Sequence, residues 1–275
     1  MNSKINLSFI GVDNGASLIM DASRVRDNSY ILSMGLRDDF SFDGEMLKLN
    51  DTVKVVGFDP TEVSRDTYNR LKDLPHMQNR FIYEEKAVVG SSLKKVNFGG
   101  PAISALCVDQ NNPKFDAVNI HDVLEKYPNT SVLKMDIEGS EFEIFESLSN
   151  LNVDQLLVGW HHWLASSKYS GNHWEYDCDY TAEDTVKYIK KIQSFGYELI
   201  HVVATEEFYN WFPNWEGSLV NYPAKAYQSH KSLASERYLF GDSDSFICNP
   251  ACQELIDKKI LETAFIRSDL IASSP

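Results

Sequence analysis

Apolar and polar positions along this chain fall into blocks whose period switches between that of a strand and that of a helix. Tyr30-Ile31-Leu32-Ser33 is a short apolar run that predicts a strand, and Phe42 to Leu49 predicts a short helix. Val53 to Phe58 predicts a second strand ending at Asp59. Pro60 and Thr61 then open a helix to about Leu71, since proline suits a first helical turn and threonine a cap. Arg80 to Tyr83 reads as a third strand, Ile120 to Tyr127 as a helix, and Ser131 to Met135 as a fourth strand. Ser140 and Glu143 have the S-x-x-E spacing of a capping box. Phe142, Phe145 and Leu148 recur at helical spacing, so a helix from Ser140 docks on the sheet. Leu156-Leu157-Val158-Gly159 makes a fifth strand. Strands alternating with helices predict an α/β fold with a doubly wound, mostly parallel, Rossmann-like sheet.

The carboxyl half changes character. Thr181 and Asp184 begin a helix with Val186, Ile189 and Ile192 on one face, and Gly196 ends it. Tyr197 to Val203 and Ser245 to Cys248 read as a strand pair closing the sheet, and about Gln253 to Leu270 as a last amphipathic helix. Residues 1–29 form an amino-terminal appendage, with short strands around the turn dipeptide Asn14-Gly15. Residues 30–275 form the main domain. The stretches near 165–180 and 204–240 are too long for simple connections and read as substrate-side insertions.

Forty acids against 26 Lys and Arg give a net charge of −14, and no dense basic run offsets it. Such a surface repels nucleic acid and anionic membranes, which argues against both as partners. Cys107, Cys178, Cys248 and Cys252 lack zinc-finger spacing and read as unpaired thiols of a reducing compartment. No basic segment leads into an apolar one at the start, and no apolar run approaches membrane-spanning length, so the expectation is a soluble cytoplasmic protein, with a homo-oligomer left open.

Candidate chemistry concentrates at one strand end. In Lys134-Met135-Asp136-Ile137-Glu138-Gly139-Ser140-Glu141 a buried strand delivers Asp136 to its carboxyl end, and Glu138 follows in a tight turn. Open α/β sheets bind ligands outside the carboxyl ends of their strands, so both acids face a site. Glu141 and Glu143 lie in the first helical turn, where the helix dipole favours acids whatever the function.

These eight residues resemble the K-[MI]-D-[IV]-E-G-[SA]-E signature of FkbM-type methyltransferases, which use S-adenosylmethionine. Ser33-Met34-Gly35-Leu36-Arg37-Asp38-Asp39-Phe40-Ser41-Phe42-Asp43 resembles the S-x-G-[IL]-x-x-D-x-S-F-[DE] form of one branch of that family, with Ser33 in place of the commoner acid. The resemblance spans about residues 30–165. It implies a class I methyltransferase sheet and cofactor contacts at Ser33, Gly35, Leu36, Asp39 and Phe42 on the methionine side. Asp59 and Pro60 fall on the ribose side, Lys86, Ala87 and Val88 on the adenine side, and Asp136 between. Asp59 suits the ribose hydroxyls and equally an N-cap before Pro60.

The implied reaction is O-methylation of a small-molecule hydroxyl, a sugar or polyketide-like acceptor. The hydroxyl needs a base or a metal to take its proton. Asp136, Glu138, His161 and His162 are the candidates; successive strand-end residues point to opposite sides, so one histidine enters the site, and His161 is preferred. Asp136, Glu138 and His161 also have the ligand types for a divalent cation. Phe208 to Trp215, with Trp174 and Tyr176, could wall an acceptor pocket. The alternative is a catalytically degenerate Rossmann-like cofactor- or metabolite-binding module. A dinucleotide-dependent oxidoreductase is opposed by the missing G-x-G-x-x-G after the first strand.

Overall fold

Residues 5–11, 18–99, 105–107, 113–161, 180, 182–204 and 261–272 are described by the computed structural model. The chain opens with two short strands, β1 (Ser8–Ile10) and β2 (Leu18–Met20), which pair antiparallel. Then come β3 (Tyr30–Met34), α1 (Ser41–Leu49), β4 (Lys54–Phe58), α2 (Glu62–Leu71) and β5 (Phe81–Glu84). Four short strands follow: β6 (Ala87–Val89), β7 (Lys95–Gly99), β8 (Ala105–Cys107) and β9 (Phe115–Asn119). The chain continues through α3 (Ile120–Lys126), β10 (Thr130–Met135), α4 (Ser140–Ser147) and β11 (Gln155–Trp160). It ends with α5 (Ala182–Ser194), β12 (Tyr197–Ala204), β13 (Leu261–Arg267) and α6 (Ser268–Ala272).

Among the described residues, seven strands form the central sheet, in the order β12-β13-β11-β10-β3-β4-β5. The run from β11 to β5 is parallel, and β13 is antiparallel to both β11 and β12. Chain order reverses between β3 and β10: the first three strands run outward to β5, and the next run outward the other way. Carboxyl ends of β3 and β10 therefore flank the switch point, where open α/β sheets leave a crevice.

Alternate residues of these strands feed two cores. Leu32, Met34, Leu133, Met135, Leu156 and Val158 face α3, α4 and α5, with Phe142, Phe145 and Leu148 of α4 docked among them. Ile31, Val55, Val132 and Leu157 face α1 and α2, joined by Ile10 and Met20 of the amino-terminal strands. That segment is pinned to the sheet edge-on: Asp21 N–H donates to Gln155 Oε1 at 2.9 Å, and Gln155 Nε2 returns a bond to Asp21 O at 2.9 Å. Burial on both faces explains why the central strands read as near-continuous apolar runs.

Three expectations change. The final helix expected over about Gln253–Leu270 is, over Leu261–Arg267, strand β13, which pairs antiparallel with β12. Thr263 to Ile266 are all buried, and a short apolar run covered on both faces gives no period to separate strand from helix. Ala87 and Val88, for which no strand was expected, form strand β6 of a separate four-stranded sheet, order β6-β9-β7-β8. The capping box also fails: the N-cap of α4 is Gly139, at φ +105°, with no side-chain cap bond. Segment 245–248, both insertions and Cys178, Cys248 and Cys252 lie outside the described residues. Among the described residues, no helix is long and apolar enough to cross a membrane.

Two glycines test the packing. A Cβ on Gly35 (φ +79°) would lie 1.7 Å from the Asp136 carbonyl oxygen, whereas one on Gly196 (φ +89°) meets nothing within 4 Å. Gly196→Ala is expected to cost the left-handed strain alone, about 1–2 kcal/mol. Gly35→Ala adds a backbone clash and is expected to cost roughly 4 kcal/mol or more, read from urea unfolding midpoints. Equal costs would contradict this packing.

Candidate active site

Backbone bonds carry the parallel ladder past the strand ends and draw two loops together. Gly35 N–H donates to Phe58 O, and Asp136 N–H to Met34 O, each at 3.0 Å. Lys134 is buried, and its Nζ donates to Gly35 O at 2.7 Å. Only glycine permits this approach of the β3 loop to Asp136, which accounts for Gly35 by geometry rather than by turn preference.

Asp136 leaves β10 with its side chain 42% exposed, and Glu138 follows at 30%. Glu138 (φ 55°) and Gly139 (φ 105°) are both left-handed, a conformation costly for a glutamate and suited to glycine. This double left-handed turn starts α4 with Glu141 directed inward. Fully buried, Glu141 accepts from His161 N at 2.6 Å and Gly139 N at 2.9 Å. His161, at the end of β11, is 2% exposed, and its Nδ1–H donates to Glu141 Oε1 at 2.9 Å. The other ring nitrogen, Nε2, stands 3.3 Å from Asp136 Oδ1 and 4.0 Å from Glu138 Oε2. Gly159 leaves the room for this: a Cβ there would lie 3.3 Å from both Asp136 Oδ1 and His161 Cε1.

Burial alone would lower the His161 pKa. The charges of Glu141, Glu138 and Asp136, with the Glu141 hydrogen bond, outweigh it and hold the imidazole well above its ordinary value. The ring thus lies between carboxylates on both sides, Glu141 at Nδ1 and Asp136 at Nε2. Among the described residues, no three His, Cys, Asp or Glu side chains are grouped to hold a metal.

The structure brings Asp136, Glu138 and His161 together and adds Glu141 and Gly159, which the sequence reading missed. His162 lies outside the described residues, as do Trp174, Tyr176 and Phe208 to Trp215. Asp59 has both carboxylate oxygens engaged: Oδ2 accepts from Leu36 N at 2.9 Å and Arg37 N at 2.8 Å, and Oδ1 from Thr61 N at 2.8 Å and Thr61 Oγ1 at 2.6 Å. It braces the β3 loop against the start of α2, beside Pro60. Leu36, Phe42, Ala87 and Val88 turn their side chains into the core. Lys86 pairs with Glu84 at 2.8 Å near the sheet end. Ser33, Asp39 and Asp43 sit at the junction of β3 and α1. Burial raises Asp43 from 3.8 to about 6 against the opposing pull of Lys134.

No known family profile matches the chain, and no curated protein matches it. Solved structures of similar shape include a geranyl diphosphate methyltransferase in complex with SAM, at 10% identity, 90% of this chain, 82% of that one and a TM-score of 0.43. The fibrillarin pre-rRNA processing protein of Methanococcus jannaschii matches at 8% identity, over 96% and 84%, with a TM-score of 0.41. StiE O-MT residues 942–1257 match at 11% identity, over 92% and 73%, with a TM-score of 0.38. At such identities and scores the functional reading is left to the chain's own residues.

Removing one buried charge tests the cluster. Glu141→Gln is expected to lower the His161 pKa, followed by NMR of the ring protons. A folded pKa raised above the unfolded value contributes stability that is present below the unfolded pKa and lost as pH rises through the folded one. The wild-type advantage over Glu141→Gln should therefore be largest near and below pH 6.5 and shrink at alkaline pH. An unchanged His161 titration would contradict the pairing.

Proposed function

We propose that this chain is an S-adenosylmethionine-dependent O-methyltransferase acting on a hydroxyl of a small molecule, a sugar or polyketide-like acceptor. One observation carries the reading: the eight residues Lys134 to Glu141 that resemble the FkbM-type signature fold so that Asp136, Glu138, Glu141 and His161 converge at the sheet's switch point, beside the Gly35 loop. The residues fit such a cofactor. The loop backbone meets Asp136 with no room for a Cβ at Gly35, and Ser33, Asp39 and Asp43 nearby keep unpartnered polar atoms. S-adenosylmethionine, when bound, supplies an electrophilic methyl on a sulfonium.

Asp136 is the base in this reading, since it is the most exposed member of the cluster and lies nearest His161 Nε2. Its carboxylate would accept the proton of the acceptor hydroxyl, and the cofactor, when bound, would supply the methyl group and take up the bonding pair on its sulfur. His161 acts through Asp136 as a positioning residue: it holds the carboxylate from behind and keeps its negative charge compensated. Glu141 fixes the imidazole in turn, and Glu138 flanks the acceptor side. Alignment and exclusion of water supply the rest of the acceleration.

The degenerate binding module draws support from Asp59, whose oxygens are engaged within the protein and less free for ribose. The two readings separate experimentally. Wild type is expected to bind S-adenosylhomocysteine in a calorimetric titration and to methylate at least one member of a panel of hydroxylated sugars and polyketides. Asp136→Asn should lower kcat by roughly 10²–10⁴ while leaving that binding within about tenfold. Binding without turnover on any acceptor would favour the module, and no binding by folded protein would end both.

A further inference from the structure

Ser41, Gly44, Glu45 and Lys48 recur at helical spacing and share one face of α1, turned from Phe42, Met46 and Leu47 in the core. A cavity of about 490 Å³ lies between that face and the segment from Leu71 to Met77 that leads out of α2 toward β5. Gly44 opens it. A Cβ there would meet only the His76 ring beyond its own helix, at an ordinary 3.5 Å from Nε2. Gly44 is not among the left-handed glycines either, so neither backbone conformation nor close packing requires it. Glycine inside a helix costs roughly 1 kcal/mol against alanine, a cost that here leaves a cavity open instead of serving the fold.

The walls specify what enters. Phe40, Leu71, Leu74 and Met77 make an apolar side, and Leu74 is 39% exposed. A mostly apolar wall with a few polar groups is the usual make-up of a small-molecule site, and this volume falls in the usual range. The polar groups are cationic where they are open. Among the described residues, Lys48 Nζ and the His76 ring make no hydrogen bond or ion pair. Burial, and then the charges of Lys48 and Arg80, hold the His76 pKa below its ordinary value, so the field at the ring is positive. Arg80 itself is committed to the end of α1, donating to Leu47 O at 2.6 Å and Asn50 O at 3.0 Å. Glu45 is the acid of the lining, and its Oε2 accepts from Gly11 N–H at 2.6 Å. Lys48 and His76 therefore keep their donors for a ligand, and an apolar body with one anionic end matches both walls. A net charge of −14 opposes approach to an anionic membrane, which favours a free molecule over a lipid headgroup.

We propose that this cavity binds a free, medium-length alkyl carboxylate, its chain along Phe40, Leu71, Leu74 and Met77 and its carboxylate at Lys48 and His76. The site shares no residue with the Asp136 cluster and stands whether or not the chain transfers methyl groups.

Octanoate and its uncharged counterpart n-octanol are the probes. NMR titrations of the full chain follow the His76 ring protons, assigned by their loss in His76→Gln. Wild type should bind octanoate saturably with the His76 signals shifting, and the His76 pKa should rise as the carboxylate arrives. Octanoate should be preferred to n-octanol by roughly fivefold, the scale of one partly exposed ion pair. Lys48→Glu should bring that preference to within about twofold or reverse it. Gly44→Met fills the cavity and should weaken both ligands at least about tenfold, and it should melt no lower than wild type because methionine is the better helix former. Were it to misfold, Lys48→Glu, at an exposed position, carries the comparison. No saturable binding, equal affinity of wild type for the two probes, or undiminished octanoate binding in folded Gly44→Met each overturns the assignment.

Discussion

The buried carboxylate of Glu141 is the interaction on which the rest of the site depends. It takes one N–H from the turn before α4, one from the backbone at the end of β11 and one from the His161 ring. Two neighbouring strands and a helix are thereby fixed at a single point. A carboxylate with no exposure is costly to desolvate, and these three donors offset that cost. The left-handed pair Glu138 and Gly139 follows from the same requirement. A turn that started α4 with an ordinary side-chain cap would not send Glu141 inward.

Outward from Glu141 the polarity grades from buried to open. His161 is covered, and Asp136 is more than a third exposed. Charge fixed in the interior thus orients a group at the surface of the crevice. On the other side of Gly35, the buried set of Ser33, Asp39 and Asp43 is incompletely paired. The site therefore has one paired polar network behind Asp136 and one with unpartnered atoms beside it, separated by a backbone contact that only glycine allows. Such local conflicts with packing rules concentrate where proteins work.

Much of this was legible in the sequence because the strongly periodic segments are also the buried ones. Val132 to Met135 and Leu156 to Val158 announce adjacent central strands, and strands in that order bring Asp136 and His161 to one end of the sheet. Glu141 was hidden by a sufficient simpler explanation, since the dipole of α4 accounts for an acid in its first turn. The Ser140–Glu143 spacing likewise fits a cap that the left-handed turn displaces. Strand β13 could not be separated from a helix because Thr263 to Ile266 are covered on both faces. The β6–β9 sheet escaped because its strands are short, with only Ala87, Val89, Val96 and Ala117 forming its buried cluster. Asp59 shows the remaining difficulty: a strand-end acid fits ribose and a loop brace equally well on paper, and its four protein donors became visible only in three dimensions.

The most direct measurement is the crystal structure of the protein with S-adenosylhomocysteine. The account predicts the ligand at the carboxyl ends of β3 and β10, with its sulfur turned toward the Asp136 carboxylate and the Gly35 loop along its amino-acid end. Ligand seated elsewhere would contradict it, for instance in the cavity of about 490 Å³ between Phe40, Gly44 and Leu74, with the switch point left empty.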